Sequence, residues 1–397
     1  MEGLNKLLTV KRIAVLGSTG SIGRQTLEVI EMLGPQYRII ALTAGSNDSL
    51  LAEQVIKFRP KLAVLSNEEA AGRLSKVLNG TGCQVKSGDQ GQEIAATIDE
   101  ADLVVMAQVG FSGFKPLVAA LKKGKKVALA NKESLVIGGE ILNKMGLLDR
   151  TKLYPIDSEH SAIWQCLHSG RKEEVDKIYL TASGGPFYGK TRKELSHVTA
   201  KEALKHPNWN MGGKITIDSA TMMNKGLEII EAMWLFDLRL DQIEVVIHRQ
   251  SIVHSMVKYK DGSVIAQLGR PDMHMPIQYA LTYPERLESK FENFDPFDLV
   301  LDFKKPDREN FPCLDLACRA IKEGGTMPAV MNGANEEAVR SFLTGVIGFN
   351  NIAEVIETIM NKHRPMSDPI LQDVVATDRW ARREAKLYIT ALERRIN

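Results

Sequence analysis

The chain has 397 residues, 44% hydrophobic and 25% charged, which is too long for one ordinary core, so two or three domains are expected. A net charge of +2, with no apolar run near the ~18 residues of a membrane span, argues against nucleic acid or a membrane as the main partner. The four cysteines (Cys83, Cys166, Cys313, Cys318) lack CxxC spacing and are expected as reduced thiols of a cytoplasmic protein.

The N-terminal stretch, with its early Glu2, lacks the long apolar region and small-residue cleavage site of a signal peptide. From residue 11 to 150, short runs alternate with amphipathic helical stretches such as "IGRQTLEVIEML" and "SLLAEQVIKF". The runs "RIAVLG", "RIIALTAG", "KLAVLS", "DLVVMAQ", "KKVALAN" and "LYPID" are apolar throughout rather than alternating. Such strands suit a parallel sheet covered on both faces, and so predict a doubly wound α/β domain over residues 1–156.

The first strand runs into Gly17-Ser-Thr-Gly20-Ser-Ile-Gly23 and then a helix, with GxxGxxG spacing. A tight turn, a close backbone approach and free N–H groups from about Thr19 to Ile22 are what a dinucleotide pyrophosphate requires. The second strand ends Ala44-Gly45-Ser46-Asn47 with no acid. A carboxylate there would repel a 2′-phosphate, so its absence favours NADP over NAD.

Residues 157–287 change rhythm. "KIYLTASGG", "GKITID", "QIEVVIH", "SIVHSMVKY" and "SVIAQLG" are predicted as strands of an antiparallel or mixed sheet in an α+β domain. Asp157 and Glu159 lie two apart and face the same side in extended chain. Glu228, on a predicted helix after Asn224 and Lys225, is a third carboxylate. Three oxygen ligands with open positions suit Mg²⁺ or Mn²⁺, although acids at a helix start are ordinarily caps. Ser183-Gly184-Gly185, Ser219, Asn224 and Lys225 offer hydroxyl, amide and ammonium donors for a phosphomonoester, or plain turn and cap chemistry. "HPNWNMGG" (206–213), with Trp209, reads as a loop or a lid over a substrate. His248 and His254, six apart, would share one side of a strand, as a zinc pair would need; without a Cys or third ligand at matching spacing they are expected as satisfied core or interface histidines. Residues 288–312 read as a linker, and 313–397 as a helical domain.

"GSTGSIG", "NKESLV", "PIDSEHSAI", "SGGPF", "DSATMMNKGLE" and "RPDM.MPIQYAL" occur in the order seen in 1-deoxy-D-xylulose 5-phosphate reductoisomerases, a family this chain resembles along essentially its whole length. The resemblance implies a homodimer with an N-terminal NADPH-binding Rossmann-like domain, a connective catalytic domain and a C-terminal helical bundle. It implies the NADPH- and metal-dependent conversion of 1-deoxy-D-xylulose 5-phosphate to 2-C-methyl-D-erythritol 4-phosphate in non-mevalonate isoprenoid synthesis. Metal ligands (Mg²⁺ or Mn²⁺, with Co²⁺ a third candidate) would be Asp157, Glu159 and Glu228. Substrate contacts would be Lys132, Ser158, Glu159, Ser183, His206, Trp209, Ser219, Asn224, Lys225 and Glu228, with Lys132 and His206 joining the three carboxylates as catalytic groups. NADPH contacts would be Thr19, Gly20, Ser21, Ile22, Gly45, Ser46, Asn47, Asn131, Glu133 and Gly212. Three positions depart from the pattern: Ser46 stands where many members are basic, Arg249 where a proline is expected, and His274 where an arginine is common. Neither Arg249 nor His274 is expected to touch the metal or phosphate groups. The alternative is another NADP-dependent sugar-phosphate or semialdehyde oxidoreductase, which would call for a catalytic Cys or a Tyr–Lys pair that the sequence does not present.

Overall fold

The computed structural model describes residues 10–396 apart from 210, 292, 293 and 298. The N-terminal reading around Glu2, Asn210 of the expected lid and three residues of the expected linker therefore lie outside the described residues. The chain divides into two compact units. One holds the described residues up to Ser134 with Leu147–Ser161 and Met273–Glu292; the other holds Leu135–Gly146, Ala162–Asp272 and Asn293–Asn397.

The first unit carries β1 (Lys11–Leu16), β2 (Tyr37–Ala44), β3 (Leu62–Leu65), β4 (Gln84–Ser87), β5 (Leu103–Met106), β6 (Lys126–Leu129) and β7 (Leu153–Pro155). They form one sheet in the order β4-β3-β2-β1-β5-β6-β7, with every neighbouring pair parallel. Apart from β4 its strands are mostly apolar where they are buried, because both faces are covered: Ile13 to Leu16 and Leu103 to Met106 are all 0% exposed. β4 was not among the expected strands. It lies at the sheet edge with exposed and half-buried residues, so no apolar run announces it. Strand order reverses beside β1, which places the crevice of a doubly wound sheet at the carboxyl end of β1, where the glycine-rich turn lies.

Residues far down the chain complete this unit. The helix His274–Thr282 packs on the helix Ser21–Leu33. His274 Nε2 meets Glu28 Oε2 at 2.8 Å, and its ring stacks on Phe291 with centroids 3.9 Å apart. Lys11 Nζ donates to Leu281 O at 2.6 Å.

The second unit is built on β8 (Val175–Ala182), β9 (Ile243–Ile247), β10 (Val253–Tyr259) and β11 (Val264–Leu268), in the order β11-β10-β8-β9. β8 is parallel to β9 and antiparallel to β10, so the sheet is mixed. "GKITID" is not a strand. It lies in the helix Gly213–Ala220, started by Gly212 and held by Lys214–Asp218 at 2.7 Å and by Asn335 Nδ2 donating to Asp218 Oδ1 at 2.9 Å. Alternating Ile and Thr mimic a strand, but an i,i+4 ion pair and packing on the helix Met327–Leu343 decide the conformation.

After residue 312 only helices follow: Cys313–Glu323, Met327–Leu343, Phe349–Lys362 and Leu371–Ile396. Described residues 294–312 hold no helix, yet Lys304 bridges to Ile247, extending the sheet edge by one antiparallel pair. The four cysteines are free thiols, and among the described residues no helix is long and apolar enough to cross a membrane.

Candidate functional site

The glycine-rich turn is fixed to its neighbour strand. Gly17 N and Ser18 N both donate to Thr43 O, at 3.0 and 2.8 Å, and the Ser18 hydroxyl donates to Gln54 Oε1 at 2.7 Å. A Cβ at Gly23 would lie 2.2 Å from Gly17 O, so only glycine lets the helix Ser21–Leu33 start this close to the turn. The N-cap, Gly20, brings no side-chain acceptor, and Thr19, Ser21 and Ile22 are half-exposed around the amide groups of the first turn. This is the arrangement that takes an anion.

Gly45, Ser46 and Asn47 are exposed after β2. Asn47 caps the helix Asp48–Phe58, its Oδ1 accepting from Leu50 N at 3.1 Å. The acid that comes next, Asp48, is taken by Arg73 in a two-pronged pair at 2.7 and 3.1 Å, which holds its carboxyl below the usual range. Asn131 is buried and gives its amide N–H groups to Gln108 O, Gly110 O and Glu133 Oε2 at 3.0 to 3.1 Å. Its side chain and that of buried Glu133 thus brace the loop after β6. Gly212 is exposed as the N-cap of its helix.

Asp157 follows β7, whose closing Pro155 sits on an edge strand where a missing N–H costs nothing. Asp157 O accepts from Ser161 N at 2.8 Å, opening the helix Ser158–Leu167. Its Oδ2 lies 2.5 Å from Lys132 Nζ and 3.8 Å from His160 Nδ1. Burial pushes this carboxyl up, but Lys132 and His160 outweigh it and hold it well below the usual carboxylate range. The site therefore contains a buried, ionised carboxylate. Next to it Ser158 Oγ donates to Glu159 Oε2 at 2.5 Å. His160 was not singled out from the sequence; its signal is the i,i+3 spacing to Asp157 at a helix start.

Glu228 belongs to the second unit, in the helix Met223–Phe236, and is 1% exposed. Asn224 Nδ2 donates to its Oε1 and Lys225 Nζ to its Oε2, each at 2.5 Å. The spacings i−4 and i−3 put both donors one turn before the acid. In each unit, then, carboxylate oxygens are buried and held by cationic or amide donors, a donor chemistry that fits a hard divalent cation.

The phosphate candidates also lie in the second unit. After β8 the chain turns sharply at Gly184 and Gly185, and a Cβ on Gly185 (φ +69°) would be 2.8 Å from Ser219 O. The Ser183 turn thus packs directly on the main chain at Ser219, which leads through Met222 (φ 64°) into the helix bearing Asn224 and Lys225. His206 Nε2 is 2.9 Å from Ser183 Oγ, while its Nδ1 accepts from Asn208 N and Trp209 N at 3.2 and 3.0 Å. Two donors on Nδ1 assign the proton of the neutral ring to Nε2, which donates to Ser183. Gly185 N also donates to Ser183 Oγ at 3.1 Å, so the hydroxyl hydrogen is directed outward as a donor. Trp209 stands with its ring 6.0 Å from that of His254.

Two expectations change. His248 and His254 do not share a strand: His248 follows β9, a turn comes next, and His254 is in β10. Both are buried and bonded as core histidines, His248 Nδ1 to Asp302 O at 2.9 Å and His254 Nε2 to Arg270 O at 3.1 Å. Arg249 was expected to stay clear of the phosphate groups, but its guanidinium donates to Ser183 O and Gly185 O, both at 2.7 Å. The contact joins residues 66 and 64 apart in the chain, so only the fold reveals it.

Three family models match the chain: one described as 1-deoxy-D-xylulose 5-phosphate reductoisomerase over residues 13–139, its C-terminal domain over 153–236, and a DXP reductoisomerase C-terminal domain over 268–384. The reductoisomerase of Pelotomaculum thermopropionicum is 54% identical over 94% of this chain and 97% of its own length. That of Ruminiclostridium cellulolyticum is 50% identical over 96% and 99%. A solved Zymomonas mobilis reductoisomerase in complex with NADPH superposes with TM-score 0.88 at 43% identity, over 96% of this chain and 99% of that one. A second solved reductoisomerase, in complex with NADPH, fosmidomycin and magnesium, gives 0.91 at 40% identity over the same shares. With this agreement in sequence and architecture along almost its full length, the chain belongs to the 1-deoxy-D-xylulose 5-phosphate reductoisomerase family.

Proposed function

We propose that this chain converts 1-deoxy-D-xylulose 5-phosphate to 2-C-methyl-D-erythritol 4-phosphate, using NADPH and one Mg²⁺ or Mn²⁺ ion, with Co²⁺ a third candidate. Asp157, Glu159 and Glu228 would hold the metal. When bound, the ion supplies Lewis acidity to the carbonyl and NADPH supplies the hydride. Lys132 keeps Asp157 ionised and provides a positive charge for the reacting hydroxyls, and Ser158 orients Glu159. Ser183, Ser219, Asn224 and Lys225 grip the phosphate, lending remote binding energy to the orientation of the carbon skeleton. His206 and Trp209 close over the substrate and exclude water. Thr19 to Ile22 receive the pyrophosphate, Gly45 to Asn47 the 2′-phosphate ribose, and Asn131, Glu133 and Gly212 make further NADPH contacts.

In this reading residues 1–156 serve NADPH, 157–287 carry the substrate and metal groups and the dimer contact, 288–312 connect, and 313–397 support the site as a helical domain. The enzyme works as a cytoplasmic homodimer. The carrying observation is a carboxylate buried yet ionised beside Lys132, in a chain of this family. The test is NADPH oxidation followed by absorbance, with and without the substrate and with and without Mg²⁺ or Mn²⁺. Turnover needs all three components together. Reduction without skeletal rearrangement, seen by NMR of the product, would favour the simpler dehydrogenase instead.

A further inference from the structure

Arg249 lies between two parts of the phosphate subsite. Its guanidinium donates to the carbonyls of Ser183 and Gly185, both at 2.7 Å, and stacks over Tyr188 with the cation 5.1 Å from the ring centre. Its own carbonyl accepts from Asn208 Nδ2 at 2.6 Å, and Asn208 also donates to Ser251 Oγ at 2.8 Å. One residue therefore ties the Ser183 turn to the loop that carries His206 and Trp209. We propose that Arg249 is a positioning residue for the substrate's phosphate, clamping the Ser183–Gly185 turn in the shape that aims the Ser183 hydroxyl. The inference rests on assigning that turn to the phosphate.

The physical case is specific. Gly184 and Gly185 both have positive φ, +76° and +69°, a conformation that glycine reaches freely and therefore also leaves freely. A turn of this kind binds an anion well only if it is preordered, because ordering at the moment of binding is subtracted from affinity. Two charge-assisted bonds to the carbonyls at either end supply that order and hold the turn in which Gly185 N donates to Ser183 Oγ at 3.1 Å, leaving the hydroxyl hydrogen as the outward donor. A proline at this position has no donor and cannot do this.

Steady-state kinetics on the full-length enzyme, with saturating NADPH and Mg²⁺, provide the test. Arg249→Met should raise KM for the sugar phosphate, and the inhibition constant of inorganic phosphate, by about tenfold, the loss expected for charged hydrogen bonds. Its kcat should stay within about threefold, and KM for NADPH should not move. Ser183→Ala tests the phosphate assignment separately: if it leaves both constants unchanged, that assignment fails. If Ser183→Ala raises them and Arg249→Met does not, the positioning role fails. The two effects should be strongly non-additive in the double variant, since Arg249 acts through the turn; full additivity would overturn the clamp. Circular dichroism checks folding. Arg249→Gln, which keeps two N–H donors on a shorter stem, replaces the Met variant under the same criteria if that one does not fold, and failure of both to fold would assign Arg249 to the fold alone.

Discussion

Lys132 and Asp157 are each under a tenth exposed and 2.5 Å apart, so removing either charge takes a buried ion-pair partner from the other. Asp157→Asn, or Glu228→Gln, is expected to cut kcat by at least about a hundredfold while far-UV circular dichroism stays native. Near-normal turnover at saturating metal would refute their assignment. Lys225→Ala should chiefly raise KM for the sugar phosphate, while also loosening Glu228, its partner at 2.5 Å. The cysteines give a pH prediction. Burial pushes the Cys166 thiol up to about 11 and Cys313 up to about 12. A raised thiol pKa stabilises the fold below the unfolded value of about 8.5, and that contribution is lost as pH climbs toward the folded value. Native protein at pH 8 should therefore react slowly with a disulfide reagent at these two thiols and rapidly once unfolded in guanidinium.

At the scale of elements, the apolar β-runs were legible because the inner strands of a parallel sheet buried on both faces favour apolar residues, while the polar edge strand β4 was not. The helix Gly213–Ala220 was not, because its conformation depends on Asp218 meeting Lys214 and the distant Asn335. Glycine and carboxylate motifs marked the site, since those residue types are needed at those spacings. Arg249 acts through contacts that no local pattern encodes, and His160 is marked only by its i,i+3 spacing to Asp157. Asp218→Ala should destabilise the enzyme by about 3 kcal/mol, because it strands the Lys214 charge and a buried amide; a chemical denaturation midpoint unchanged from the parent would disprove the tie. Gly23→Ala should weaken NADPH binding and cost about 2 kcal/mol, because a methyl has no room 2.2 Å from Gly17 O.

For the molecule as a whole, NADPH at a hundred times its Kd should stabilise the folded state by about 2.7 kcal/mol, seen as a rise in Tm by scanning fluorimetry. Each unit is assembled from three separate stretches of chain, and the first is closed by Met273–Glu292 from far downstream. A polypeptide cut after Ile156 would therefore lack the His274–Thr282 cover of the helix Ser21–Leu33, and with it the partners of Glu28 and Lys11. Such a fragment should precipitate on expression by itself, and become recoverable only when the missing piece is spliced to it through a short linker.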